Sequence, residues 1–284
     1  MEKFLKSVLI SSLVLVVNIG FAQVDKNENS LLWKISGNGL QKPSYLFGTI
    51  HMMCENDFVI KEKVIKAFDQ TEELALELDF DDPLELQNMQ KLAVASTPLS
   101  RTLTKEEYSK LEAILKNSFS LNIKDYENYN LIGLLSVVLM KELNCPPKMY
   151  EFEFLKMGMQ RKSIIHGMEK VDDQIKAFAN AYDNNEFIEQ LELYDSTHFN
   201  ELVGIYKNED INKLFSLSTD KKYMNKEVQN FMLDSRNKKW VTEMPEMMQQ
   251  HSIFFAVGAA HLPGDNGVIN LLRQAGYTVT SIKN

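Results

Sequence analysis

The chain has 284 residues, of which 44% are apolar, and a formal charge of −8. That apolar share supports a packed core and excludes a disordered chain. The acidic balance argues against nucleic acid and anionic membrane surfaces as partners, because both need a positive face.

Lys3 and Lys6 precede an apolar run from Val8 to Ile19, and Gly20-Phe21-Ala22 places small residues at the −3 and −1 positions of a cleavage after Ala22. Residues 1–22 therefore read as an export signal, with a cut at Gln23 suiting nearly as well. The run falls short of the roughly 20 apolar residues of a spanning helix, so no stable membrane insertion is expected after cleavage. No Cys follows it to carry a lipid, and the expected location is periplasmic or secreted. Loss of Glu2, Lys3 and Lys6 leaves the mature chain near −9. Residues 23–30 then form a polar leader and 31–284 a single domain.

Leu31 to Ser36 and Ser44 to Thr49 read as strands around Gly37-Asn38-Gly39, whose Asn-Gly step favours a tight turn. Asp57 is placed to cap a helix reaching about Gln70, with Val59, Ile60, Val64, Ile65 and Phe68 on its apolar side. In Glu73 to Asp79, alternation sends Leu74, Leu76 and Leu78 to one face of a strand and Ala75, Glu77 and Asp79 to the other. From Pro83 to about Gly158 the pattern is helical. Thr104 and Glu107 make a capping box, and Leu131 to Met140 reads as a buried helix. Ser163 to Glu169 is a further strand. Helices are expected over Val171 to Tyr182, Glu186 to Tyr206 and about Lys221 to Gln250. Gly267 to Ala275 should form another, with Gly276 as its stop and Tyr277 to Ile282 as a last strand. The expected class is α/β (α+β), with a central sheet shared by the N- and C-terminal segments and a largely helical middle insertion.

Two tetrapeptides stand out, Gly48-Thr49-Ile50-His51 and Gly258-Ala259-Ala260-His261, each closing a short apolar run. They present two imidazoles at the ends of two strands. Two such groups with one carboxylate give the three-ligand pattern of catalytic metal sites, and Glu77 is the carboxylate of choice. A hydrogen-bonded histidine at a strand end, and a solvated or lysine-paired Glu77, are the competing readings. Glu169 closes its strand and suits a general base or a cap for the helix after it. Arg236-Asn237 suits an oxyanion or carboxylate, or else is a helix-surface pair. His166, His198 and His251 read as structural or surface residues, and Met244, Met247 and Met248 as core or groove lining. Cys54 and Cys145 suit a disulfide or two buried thiols better than metal ligation, since a lone His-x-x-Cys is a weak signal. There is no His-Glu-x-x-His helix, Gly-x-Ser-x-Gly elbow, phosphate loop or dinucleotide fingerprint.

Leu32-Trp33-Lys34-Ile35, Tyr45 to Met52, Leu76-Glu77-Leu78, Gly167-Met168-Glu169, Arg236 to Trp240 and Phe255 to Gly264 together resemble the TraB/GumN family, which includes the Tiki metalloproteases. The likeness runs in order through nearly all of the mature chain. Met168 departs from the Leu more common in the family before Glu169. The resemblance implies a sheet-centred domain with a divalent-metal site at His51, Glu77 and His261, and further functional residues at Glu169, Arg236 and Asn237. It implies manganese or cobalt as the metal, with zinc also suitable, and a peptide or protein substrate cut by a metal-activated water. A periplasmic protein that binds a peptide or envelope component in the same cleft without cleaving it is the alternative. A structural accessory to polysaccharide export has no residue-level support beyond the family's name.

Overall fold

The computed structural model describes residues 28–193 and 196–283. The expected export signal lies outside the described residues, as does the polar leader up to residue 27. Among the described residues eight strands form: β1 Leu32–Ser36, β2 Ser44–Thr49, β3 Met53–Cys54, β4 Glu73–Leu78, β5 Pro147–Lys148, β6 Ile165–Glu169, β7 Ile253–Gly258 and β8 Thr278–Ser281. Six of them make one sheet in the order β6-β4-β7-β2-β1-β8, and β3 pairs with β5 in a small second sheet.

β6, β4, β7 and β2 run parallel to their neighbours, so all four end at the same edge of the sheet. β1 and β8 continue the sheet with antiparallel pairing. The parallel strands are covered on both faces, and β2, β4 and β7 are buried at every position. That is why Glu77, alternating away from the leucines, is buried rather than solvated. One core cluster wraps the sheet through Leu46, Phe68, Leu74, Phe154, Phe254 and Leu272. A second, purely helical cluster joins Leu99, Leu111, Leu115, Leu134 and Val138 to Phe187 and Ile188. Among the described residues no helix is long and apolar enough to cross a membrane.

The β1–β2 hairpin, the β4 and β6 strands and the Thr104–Glu107 capping box form as expected. The Asn-Gly step does make a tight turn, with Asn38 and Gly39 both at positive φ and Leu40 N–H donating to Gly37 O. Four local expectations are corrected. Asp57 caps no long helix; it ends a short turn and pairs with Lys207 at 2.6 Å, and the helix starts later, at Glu62–Asp69. Lys61 and Lys63 on either side of that start are drawn to Glu209 instead. The helix Leu131–Leu143 is only partly buried, with Met140 44% exposed, because it covers the helical cluster from one side. The expected Glu186–Tyr206 helix is two, Asn184–Leu191 and Ser196–Lys207, and a further helix, Ile211–Ser218, lies beyond them. The long segment before β7 comprises Lys226–Gln229, a π turn at Asn230–Asp234, and Ser235–Gln250.

Candidate active site

The common edge of the four parallel strands gathers the candidate residues. Thr49 pairs in register with Gly258 across β2 and β7, so the two Gly-x-x-His motifs leave the sheet side by side. A Cβ added at Gly258 would stand 3.2 Å from Glu77 Oε1, 3.4 Å from His261 Cδ2 and 3.9 Å from His51 Cε1. Both rings and the carboxylate thus surround one backbone atom, and glycine is the residue that leaves them room. The carboxyl edge of a parallel sheet is where open α/β folds place their ligand sites.

His261 lies in a short turn after β7 and is buried. Its Nδ1 is 2.6 Å from Asn237 Oδ1, while Asn237 Nδ2 donates to Asn266 O at 2.9 Å. An amide oxygen only accepts, so Nδ1 carries the hydrogen and Nε2 keeps its lone pair. Burial and the neighbouring Arg236 cation push this imidazole down to about 3, so it is neutral at physiological pH. Nε2 is 3.9 Å from Glu77 Oε1 and 3.2 Å from Arg236 Nη1, and the ring packs on Trp240 at 4.5 Å between centroids.

Glu77 is nearly enclosed. Its Oε1 accepts the Gly258 N–H at 2.7 Å, and its Oε2 accepts Arg236 Nη2 at 2.7 Å. Burial alone would raise its carboxyl, but Arg236, His261, His51 and the Gly258 N–H together hold it near 2. Glu169, with 2% of its side chain exposed, accepts from Arg236 Nε at 3.1 Å through each oxygen and forms a further short bond with Nη2. Gln174 bridges the two carboxylates, donating to Glu169 Oε1 at 2.8 Å and Glu77 Oε2 at 3.3 Å. Arg236 is 12% exposed and sits between both acids, so it is not a helix-surface residue. Its flanking pair of carboxylates outweighs the cost of burying its charge and raises its pKa.

His51 differs from its counterpart. Its side chain is 71% exposed, and its Nδ1 is 3.7 Å from Glu151 Oε1. Glu151 raises this imidazole to about 9 against the opposing effect of desolvation, with a smaller push from Glu77. At that exposure the pair adds little to stability. The structure therefore brings His51, Glu77, His261, Glu169, Arg236 and Asn237 to one edge. Among the described residues no three His, Cys, Asp or Glu side chains converge tightly enough to hold a metal ion as they stand. The donor chemistry nevertheless suits a divalent cation: one neutral nitrogen with a fixed tautomer, one ionised carboxylate 3.9 Å from it, and beside them a second imidazole, His51, which must give up its proton before it can ligate.

Glu169 does not cap the helix that follows it. The N–H of Val171 is bound at 2.9 Å by Glu85 instead. Cys54 and Cys145 form a disulfide, which removes Cys54 as a metal ligand. His166 bonds Glu73 at 2.6 Å and His251 lies 3.6 Å from the same carboxyl, at the opposite end of β4 from the site, while His198 stacks on Tyr223. Met244 and Met248 are buried core residues. Gln174, Glu151 and Asn266 were not legible as site residues, because each lies in a helix or loop whose pattern reports burial and not direction. The one available signal was position: Glu151 follows the second disulfide cysteine by six residues, at the start of a helix.

The chain is 22% identical to a metalloprotease TIKI homolog of Nematostella vectensis over 326 aligned residues, covering 91% of this chain and 68% of that protein. No solved structure matches. The TraB/PrgY/gumN family model matches residues 31–281, from the first strand to the last, and the chain belongs to that family.

Proposed function

We propose that the protein is an exported, divalent-metal-dependent hydrolase that cleaves peptide or protein substrates. The observation that carries this reading is the preset state of His261: neutral, held through Nδ1 by Asn237, with Nε2 beside the ionised Glu77 and close to His51. His51, Glu77 and His261 are the proposed ligands, a nitrogen-and-oxygen set compatible with manganese, cobalt or zinc. A bound ion would supply Lewis-acid polarisation of the scissile carbonyl and a nucleophilic water near neutral pH.

The remaining residues divide the work. Asn237 has both polar ends engaged, so its role is to fix the His261 tautomer and not to contact an oxyanion. Glu169 is occupied by Arg236 and Gln174, and its role is to hold the guanidinium in place. Arg236 keeps a permanent cation beside Glu77, where it can stabilise negative charge building on a substrate oxygen. A second reading, a periplasmic binder of peptide or envelope components, is favoured by one contact: Arg236 Nη1 takes the Nε2 lone pair of His261 at 3.2 Å, which an ion must displace.

Two measurements test the proposal. Elemental analysis of purified protein should find one divalent ion per chain, lost in both His51→Ala and His261→Ala. A peptide-library digest should show cleavage that depends on added manganese or cobalt and stops in chelator. Cleavage that persists in chelator overturns the metal mechanism, and tight peptide capture without products favours the binder.

A further inference from the structure

Glu151 is a buried acid that the proposed chemistry does not use. It stands in the first turn of the helix Tyr150–Gln160, on the face that meets the end of β2. Only 7% of its side chain is exposed. Oε1 accepts the Thr49 hydroxyl at 2.8 Å, while Oε2 is buried with no hydrogen-bond partner. Leaving a buried carboxylate oxygen unpaired is costly, so such an atom marks a missing donor. The nearest imidazole is His51, whose Nδ1 is 3.7 Å from Oε1, too far for a hydrogen bond and within a small rotation of one. His51 has the freedom to make that rotation, because its ring is largely exposed.

The covalent structure keeps the two residues together. His51 runs directly into β3, which pairs with β5, with Met53 opposite Lys148 and Cys54 opposite Pro147. The Cys54–Cys145 disulfide closes the same contact, and the Glu151 helix begins two residues after β5. The loop bearing His51 and the helix bearing Glu151 are thereby one clamped unit. On the β7 side, Asn237 does for His261 what this geometry offers for His51.

We infer that Glu151 is the positioning residue for His51, accepting its Nδ1–H so that Nε2 faces the strand edge shared with His261 and Glu77. The inference rests on the metal-site reading for its purpose, but the contact itself stands without any metal. Thr49 completes the unit by donating to Oε1, the oxygen that His51 Nδ1 approaches, and so fixes the carboxylate beside the imidazole.

The test uses full-length processed protein in four forms: wild type, Glu151→Gln, Glu151→Ala and Glu151→Asp. Thermal melts establish that each is folded. Nitrogen-edited NMR of the imidazoles, with His51 assigned through His51→Gln, should show a hydrogen-bonded Nδ1–H in the wild type that is lost in Glu151→Ala. Titration with cobalt should give binding about 10- to 100-fold weaker in Glu151→Ala, the usual cost of removing a residue that orients a ligand. Glu151→Gln should be intermediate, and Glu151→Asp should recover part of the loss. An unchanged His51 resonance in Glu151→Ala overturns the inference, as does cobalt affinity equal to wild type. If wild type binds no cobalt, the metal reading fails, and the imidazole resonance alone still decides the role of Glu151.

Discussion

Gly48→Ala and Gly258→Ala add one methyl at the first positions of the two Gly-x-x-His motifs, on neighbouring strands and one register step apart, and the structure assigns them opposite outcomes. At Gly48 the new Cβ would meet Ala259 Cα and Cβ at 3.0 Å and Leu262 Cδ2 at 3.1 Å. Backbone cannot yield as a side-chain tip can, and overpacking of this kind costs about 1–3 kcal/mol. For a domain of this size that lowers Tm by roughly 2–12 °C. At Gly258 the backbone is ordinary, φ −52° and ψ 133°, so alanine fits the chain and gains about 0.4–1 kcal/mol by restricting the unfolded state. Its Cβ would press on Glu77 Oε1 at 3.2 Å, and Glu77 cannot retreat freely because Arg236 and the Gly258 N–H hold both its oxygens. Net stability should stay within about 1 kcal/mol of wild type, given that a single strained hydrogen bond is worth about that much. The penalty falls on the site instead, as weaker cobalt binding. Circular-dichroism melts paired with cobalt titration separate the two effects. A Gly258→Ala protein that melts as low as Gly48→Ala, or that binds cobalt like wild type, would refute the convergence of His51, Glu77 and His261 on this atom.

Further outcomes follow from other contacts. Arg236→Met strands two buried carboxylates, Glu77 and Glu169, and should cost about 3–5 kcal/mol in urea unfolding; Arg236→Lys should not restore it, since a single ammonium cannot reproduce the bidentate contact. A Lys replacement with wild-type stability would show that the fork geometry is unimportant. Reducing the Cys54–Cys145 bond, which spans 91 residues, should lower stability by about 2–4 kcal/mol, read as a shifted urea midpoint in reductant. Glu209 is buried, and Lys61 and Lys63 bind it strongly enough to overcome desolvation and lower its carboxyl below the ordinary 4.5. Its folded pKa is thus the depressed one, so its stabilisation is complete above pH 4.5 and is lost as pH falls below that value. The difference in urea midpoint between wild type and Glu209→Gln should therefore shrink below pH 4.5, and a difference independent of pH would contradict the assignment.

The strands and the paired motifs were legible in the chain because a strand's two-residue alternation and a run of apolar residues are local properties. Glu77 could be placed off the leucine face from its neighbours alone. Its burial could not, because that required knowing that β4 lies between β6 and β7 in a sheet covered on both faces. Asp57 failed as a cap for a related reason: Lys207, 150 residues away, and the Lys61–Lys63 pull on Glu209 reset the start of the helix.

By itself, the sequence determined the six strands of the main sheet but not the short β3 and β5, the latter inside a stretch expected to be helical; it also determined that two histidines would follow two of those strands and that an acid and an Arg-Asn pair were available, since each follows from residue type and spacing. Only the tertiary structure decided that four parallel strands finish at one edge, that Arg236 is locked between Glu77 and Glu169, and that Glu151 faces His51. Those pairings join residues far apart in the chain, and their energies come from burial and charge neutralisation that exist only once the sheet has assembled.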